Sequence, residues 1–132
     1  MILVDTSVWI DFIRGRSTGP VERLRTALDR GVSAAITPLI YQEILQGAAD
    51  EKTFRDYRAY FSNQRFLHPG DPIASHENAA RLYFECRRKG FTIRSSNDCL
   101  IAQIAIEQRV ALLHDDRDFD NIARATSALK LA

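Results

Sequence analysis

The sequence has little cysteine, little proline and almost no net charge, and each of these features argues against certain classes of protein. Two cysteines and four prolines occur in 132 residues, so neither a disulfide framework nor a proline-rich linker is indicated. Lysine and arginine number 18, aspartate and glutamate number 17, and the net charge at pH 7 is +1. Because the chain is neither polybasic nor acidic, any contact with nucleic acid must come from local patches.

Long apolar runs are also absent. No stretch approaches the length of a membrane span, and Met1 directly precedes a strand pattern, so we expect no membrane segment and no signal peptide. Cys86 and Cys99 both fall within helical patterns, which favours reduced, packed thiols in a cytoplasmic protein. The composition is 45% hydrophobic and 27% charged, without repeats or low-complexity segments. We therefore expect residues 1–132 to form a single domain that buries a core.

Short apolar runs alternate with amphipathic patterns along the chain. The amphipathic patterns start at capping residues or prolines and predict helices, including a buried helix that begins near Asp98. Strands that alternate with helices imply a right-handed α/β/α sandwich around a mostly parallel sheet of about five short strands. The predicted strands are Ile2–Val4, Val32–Ile36, Arg65–Leu67, Val110–Leu113 and an edge strand at Leu129–Leu131.

An aromatic stripe marks the helix that Asp50 is predicted to open. Phe54, Tyr57, Tyr60 and Phe61 recur at a spacing of three to four residues. Such a stripe most often packs into the core, and this is the interpretation we favour. A partner-binding face is the alternative.

The most informative stretch follows the predicted strand that ends at Leu113. Four of the six residues from Asp115 to Asp120 are acidic. Open α/β sheets bind ligands beyond the carboxyl ends of their strands. For this segment alone, a solvated turn whose aspartates cap the next helix is an equally good interpretation. The presence of Asp5, Glu43 and Asp98 at similar strand or helix ends favours a shared site.

Parallel strands with right-handed crossovers bring these acids to one edge of the sheet. Two carboxylates about 5 Å apart repel by roughly 3 kcal/mol at an effective dielectric constant near 20, so four together require protonation or bound cations. An all-oxygen cluster without paired histidines or cysteines selects Mg²⁺ or Mn²⁺ over Zn²⁺. Such a site activates a water and stabilises in-line attack on a phosphodiester.

Competing chemistries have less support. The sequence contains no glycine-rich phosphate loop, and Ser7 has neither a nucleophile elbow nor a histidine-centred triad. The residues after Asp5 do not form the Asp-x-Asp pattern that a phosphoaspartyl enzyme would need. His114 is the only histidine near the acidic block, and a lone histidine at a strand end is typical of a packed or turn residue.

Four segments resemble the motifs of PIN-domain ribonucleases, specifically the VapC-type toxins. The similarity spans essentially the whole chain, and it is the order and spacing of all four that make it specific. The matching segments are Met1 to Asp11 (MILVDTSVWID), Tyr41 to Gly47 (YQEILQG), Arg94 to Ala102 (RSSNDCLIA) and Leu113 to Phe119 (LHDDRDF).

The resemblance implies a Mg²⁺- or Mn²⁺-dependent endoribonuclease toxin of a type II toxin–antitoxin pair that cuts structured RNA, typically tRNA. It also implies a homodimer and a VapB-type antitoxin whose tail blocks the site. Carried over by motif, the catalytic, metal-binding acids are Asp5, Glu43, Asp98 and Asp116. Asp118 is implied as a fifth catalytic acid that helps to place metal or water. The neighbouring Asp115 makes the assignment within this block the least secure.

The motifs also suggest supporting residues. Ser96 and Asn97 are candidates for orienting Asp98 or the phosphate, and Thr6 is a candidate for supporting Asp5. The basic candidates for phosphate contact are Arg88, Lys89, Arg94 and Arg117, each equally well explained as a solvated charge. Two other functions stay open: a catalytically silent PIN-like module that binds RNA, and a phosphatase that uses the same acidic edge.

Overall fold

The computed structural model describes every residue from Met1 to Ala132 and has the predicted α/β/α architecture. The four strands are β1 (Ile2–Val4), β2 (Ala34–Ile36), β3 (Arg65–Phe66) and β4 (Ala111–Leu113). The seven helices are α1 (Thr6–Ile13), α2 (Gly19–Asp29), α3 (Pro38–Gln46), α4 (Glu51–Phe61), α5 (Pro72–Arg88), α6 (Ser96–Gln108) and α7 (Arg117–Ala125). No helix is both long enough and apolar enough to cross a membrane.

The sheet is entirely parallel, with strand order β3-β2-β1-β4. The chain moves outward from β1 to β3 and then crosses to the other side of β1 to form β4. Parallel α/β sheets form their ligand crevice where the strand order reverses in this way, at the carboxyl ends of the two strands. Here the backbone N–H of Asp5 donates to the carbonyl oxygen of Leu113 at 2.9 Å. The residues that follow β1 and β4 are therefore held side by side.

The predicted fifth strand is reduced to a single bridge. Leu131 pairs in parallel with Leu112, and the N–H of Leu112 donates to the carbonyl oxygen of Lys130 at 2.9 Å. The sheet thus has four strands rather than about five. Leu129 is buried but Lys130 and Leu131 are exposed, so only one side chain of this segment anchors it to the core.

Helix α6 lies in the interior, as its nearly uniform apolar sequence predicted. Its buried side chains include Cys99, Ile101 and Ile104. Because α6 is buried at Cys99 and from Ile101 to Ala105, the helix that carries Asp98 in its first turn is anchored in the core. Cys86 and Cys99 are both buried, as expected of packed thiols.

The aromatic stripe on α4 divides between core and surface. Phe61 is fully buried against the edge of Trp9, with ring centroids 5.4 Å apart, and Tyr57 is 7% exposed. Phe54 and Tyr60 are 40% and 41% exposed. The core interpretation is therefore correct for Tyr57 and Phe61, and only the other two aromatics are available to a partner.

This division predicts opposite outcomes for two similar substitutions. Tyr57→Glu places a charge in the core and should lower the free energy of unfolding by more than about 3 kcal/mol. Tyr60→Glu on the exposed side of the same helix should lower it by less than about 1 kcal/mol. Urea unfolding followed by circular dichroism measures both. Equal stabilities for the two variants would show that Tyr57 does not pack in the core.

Candidate metal centre

Four elements bring carboxylates to the carboxyl edge of β1 and β4. Asp5 lies between β1 and α1, and Glu43 lies in the second turn of α3. Asp98 lies in the first turn of α6. Asp116 is the N-cap of α7, and Asp118 lies in the first turn of that helix. All five acids singled out in the sequence thus start or line helices that begin at this edge.

Three of these acids form a compact group. One carboxylate oxygen from each of Asp98, Asp116 and Asp118 lies within 4.8 Å of the others. Cations bound by protein carboxylates have metal–oxygen distances of about 2.0 to 2.6 Å, so oxygens at this separation can share one ion. Asp118 is 2% exposed, so its charge must be offset by a cationic partner or a bound cation. The geometry therefore suits a bound metal ion.

Asp5 and Glu43 belong to the same electrostatic cluster. Burial raises the pKa of Asp5 to about 6, and the negative charge of Glu43 adds to the shift. Burial also raises the pKa of Asp98 to about 7, with further contributions from the charges of Asp5, Asp116, Asp118 and Glu43. Since all four other acids act on Asp98, the five side chains share one local field.

Helix capping does not account for these shifts. Asp50 is an ordinary cap: its carboxylate accepts from the backbone N–H of Thr53 at 2.7 Å, which lowers its pKa. Asp98 also lies at the positive end of a helix, where the helix dipole favours a carboxylate. Its pKa nevertheless moves in the opposite direction, because burial and neighbouring charges outweigh the dipole. The two aspartates therefore have different physical roles.

Arg94 is the one cationic side chain paired with the cluster. Its Nη2 donates to Asp116 Oδ1 at 2.6 Å, and its Nε donates to Asp118 Oδ2 at 3.1 Å. Its backbone N–H also donates to Asp118 Oδ2, at 3.1 Å. The hydrogen bond to Asp118 and the charges of both aspartates raise the pKa of Arg94. This guanidinium partly offsets the negative charge of the site and fixes two of its acids.

Two hydroxyl groups orient the remaining acids, in an arrangement that differs from the prediction. Thr6 Oγ1 donates to Glu43 Oε1 at 2.9 Å, whereas the sequence suggested that Thr6 supports Asp5. Asp5 Oδ2 instead accepts from Ser7 Oγ at 3.3 Å. Adjacent residues at a helix start point in different directions, so the Thr6 hydroxyl faces α3, and only the backbone N–H of Thr6 acts on the Asp5 carboxylate. The contact between Ser7 and Asp5 is not among the sequence predictions, although the two residues lie only two positions apart.

The other polar candidates divide into two groups. Ser96 and Asn97 lie exposed at the start of α6, and Arg117 lies exposed at the start of α7, all beside the cluster. Lys89 instead donates to the carbonyl oxygen of Ala125 at 2.6 Å. That carbonyl ends α7, a nine-residue helix about 13 Å long, and the acids are at its other end.

Arg88 is also engaged away from the acids. Its Nη1 lies 3.4 Å from Glu85 Oε1, and its guanidinium lies 5.7 Å from the ring centroid of Phe84. The structure therefore does not bring Arg88 or Lys89 to the carboxylates. His114 is a turn residue, as its position suggested: its Nδ1 accepts from the N–H of Asp116 at 3.0 Å.

Comparison with known proteins places this geometry in a family. The family model described as "PIN domain" matches residues 2–125. VapC ribonuclease Mb1587 from Mycobacterium bovis and Ribonuclease VapC11 from Mycobacterium tuberculosis are each 39% identical over 128 residues, covering 96% of this chain and 95% of theirs.

Two solved structures have the same fold. The crystal structure of VapBC2 from Rickettsia felis bound to a promoter DNA fragment has a TM-score of 0.75 at 18% identity, over 100% of this chain and 98% of that one. A toxin–antitoxin complex from Klebsiella pneumoniae has a TM-score of 0.70 at 22% identity, over 99% and 100%. The chain therefore belongs to the PIN-domain family, among its VapC-type ribonuclease toxins.

Proposed function

We propose that this protein is a Mg²⁺- or Mn²⁺-dependent endoribonuclease that hydrolyses phosphodiester bonds in structured RNA, with tRNA as the expected substrate. The observation that carries the proposal is the convergence of Asp5, Glu43, Asp98, Asp116 and Asp118 on one edge of the sheet. Their donor atoms are all carboxylate oxygens, which suit hard cations such as Mg²⁺ and Mn²⁺. The ribonuclease names of the 39% identical relatives agree with this chemistry.

The chain's own residues have distinct roles in this mechanism. A divalent cation, when bound, lowers the pKa of a water and offsets charge that develops on the phosphate. Asp98, Asp116 and Asp118 would hold the ion, and Asp5 and Glu43 would complete its carboxylate ligands from β1 and α3. The hydroxyls of Ser7 and Thr6 fix the orientation of Asp5 and Glu43. Arg94, whose side chain is 60% exposed, and Arg117 are positioned to contact the RNA backbone.

The biological assignment extends the proposal to partners. The two structural neighbours are toxin–antitoxin complexes, which supports a VapB-type antitoxin as the partner of this toxin. We place the protein in the cytoplasm as a homodimer, a state that light scattering after size exclusion would test. A short upstream open reading frame that encodes a small DNA-binding protein would identify the antitoxin.

The two alternative functions make different predictions for the same acids. A catalytically silent RNA-binding module would bind RNA without cutting it in Mg²⁺ or Mn²⁺. A phosphatase would hydrolyse a small phosphate ester and leave RNA intact. The complete set of five acids favours an active nuclease over a silent module.

Removing single carboxylates tests the proposed site. Asp5→Asn, Glu43→Gln and Asp98→Asn keep the side-chain size but remove an anionic ligand, so each should reduce RNA cleavage at least about 100-fold. Asp50→Asn, at an exposed helix cap, is the matched control and should cleave like the wild type. RNA cleavage is measured in Mg²⁺ and in Mn²⁺, with circular dichroism to check folding. Full activity in any of the three variants would remove that residue from the site.

Metal binding should change the thermal stability in a pH-dependent way. The raised pKa values of Asp5 and Asp98, about 6 and 7, mean that the metal-free folded state binds protons more tightly than the unfolded chain. Their contribution to stability is therefore complete below about pH 4 and is lost as the pH rises to about 7. Metal requires the deprotonated carboxylates, so the rise in Tm on adding Mg²⁺ should be small at pH 5 and large at pH 8.

The magnitude and the control follow from linkage. A metal concentration one hundred times the Kd adds about 2.7 kcal/mol. Asp98→Asn should lose most of this response, and in chelator at pH 8 it should melt above the wild type because one repelling charge is gone. Melting curves of both proteins with chelator and with Mg²⁺ measure this. A wild-type Tm that changes with neither Mg²⁺ nor Mn²⁺ at pH 8 would contradict a shared metal site.

The antitoxin proposal predicts a surface on α4. This helix packs on α3, which carries Glu43, and it exposes Phe54 and Tyr60. Phe54→Glu should weaken antitoxin binding at least about tenfold, since a charge opposes burial of this surface. Thermal stability and RNA cleavage by the free toxin should not change. Unaltered affinity in both Phe54→Glu and Tyr60→Glu would place the antitoxin elsewhere.

A further inference from the structure

A cavity of about 520 Å³ lies between α5 and α6, directly beside the carboxylate cluster. Arg94 lines this cavity and also pairs with Asp116 and Asp118, so one side chain borders both. Asn97, which also lines it, directly precedes Asp98. An RNA strand whose phosphate lies at the acids would therefore pass the mouth of the cavity.

We propose that this cavity receives the base of a nucleotide adjacent to the scissile phosphate, a proposal that rests on the ribonuclease function proposed above. The cavity combines flat rings, apolar surface and groups that donate or accept hydrogen bonds. Its lining residues with these properties are His76, Tyr83, Ile93, Ser96, Asn97 and Leu100.

The size and the chemistry both favour a nucleobase. Small-molecule sites in proteins have volumes of about 300 to 1,000 Å³, are largely apolar and contain a few placed polar groups. Proteins that read single-stranded RNA stack an unpaired base on an aromatic ring and hydrogen-bond to its edge. Tyr83 and His76 provide rings, and the Asn97 amide and the Ser96 hydroxyl provide both donors and acceptors.

The charge of the lining favours a nucleic acid over a cationic peptide. No aspartate or glutamate lines the cavity, whereas Arg94 does, and the Arg87 guanidinium lies 5.8 Å from the Tyr83 ring centroid. A phosphodiester beside this wall meets the positive charge of Arg87 and the N–H donors of Arg94, whose charge is partly offset by Asp116 and Asp118. A basic peptide would be attracted to the carboxylates instead of to this cavity.

Cleavage kinetics on paired substrates test the proposal. One RNA carries all its bases, and matched RNAs carry a single abasic nucleotide on either side of the cleaved bond. Tyr83→Ala should raise KM on the intact RNA about tenfold or more, within the roughly 5- to 150-fold expected for one lost base–aromatic stack. On the RNA that lacks the stacked base, Tyr83→Ala and the wild type should have the same KM.

Three further variants separate stacking from general disturbance. Tyr83→Phe keeps the ring and should retain the wild-type KM. Asn97→Ala, at an exposed position, should reduce discrimination among the four bases at the sensitive position. Phe84 lies on the same helix and is 50% exposed, but it does not line the cavity. The Phe84→Ala variant is therefore the control and should have the wild-type KM. If Tyr83→Ala fails to fold, Asn97→Ala decides the result.

The outcomes distinguish the cavity from the nuclease function. Wild-type kinetics in both Tyr83→Ala and Asn97→Ala would overturn the base site and leave the ribonuclease intact. If the wild type cuts no RNA, the proposed ribonuclease function is wrong. Binding of the same oligonucleotides, measured by fluorescence anisotropy, then tests whether the cavity receives a base. An RNA affinity that changes neither with the abasic nucleotide nor with Tyr83→Ala would overturn the proposed base site as well. If Tyr83→Ala and Asn97→Ala lose antitoxin binding but keep the wild-type RNA kinetics, the cavity is a protein-docking site, contrary to the proposal.

Discussion

Repulsion among buried carboxylates is the constraint on which the rest of the site depends. Asp5 and Asp118 are almost inaccessible, and the charges of four acids act on Asp98. Such side chains would separate if their backbones were free to move. They stay together because β1, β4 and α6, which precede or carry them, are among the most buried parts of the fold. The apolar core thus supplies the stability that offsets an unfavourable charge arrangement.

Topology determines which acids meet. The reversal of strand order between β1 and β4 opens a crevice at their carboxyl ends, and Asp5 and Asp116 lie just beyond those ends. The hydrogen bond from Asp5 N–H to Leu113 fixes the separation of the two segments. Helices α3 and α6 then bring in Glu43 and Asp98. Acids distant in sequence converge because every crossover returns to the same edge.

The sequence correctly predicted the four strands of the sheet, the helices and the acidic edge, since apolar runs and capping residues are local signals. It could not predict contacts that depend on side-chain direction. Arg94, Arg88 and Lys89 have the same charge and lie close together in sequence, yet only Arg94 meets acids of the cluster, 22 and 24 residues further along the chain. The contact of the Thr6 hydroxyl with Glu43 instead of Asp5 also depends on side-chain direction. The segment Leu129–Leu131 was predicted as an edge strand but forms only a single bridge. Its two leucines do not suffice for a paired strand, because only Leu129 is buried.

Arg94 connects the electrostatics of the site to its geometry. Its guanidinium engages Oδ1 of Asp116 and Oδ2 of Asp118, so one oxygen of each carboxylate has no partner among the protein's hydrogen bonds. A cation can therefore bind without displacing the arginine, which fixes the orientation of the carboxylates as partners of metal ligands commonly do. A lysine would supply the charge but not the planar, two-pronged contact. The same guanidinium borders the cavity beside α5, so the residue that orders the acids also faces the proposed path of the RNA.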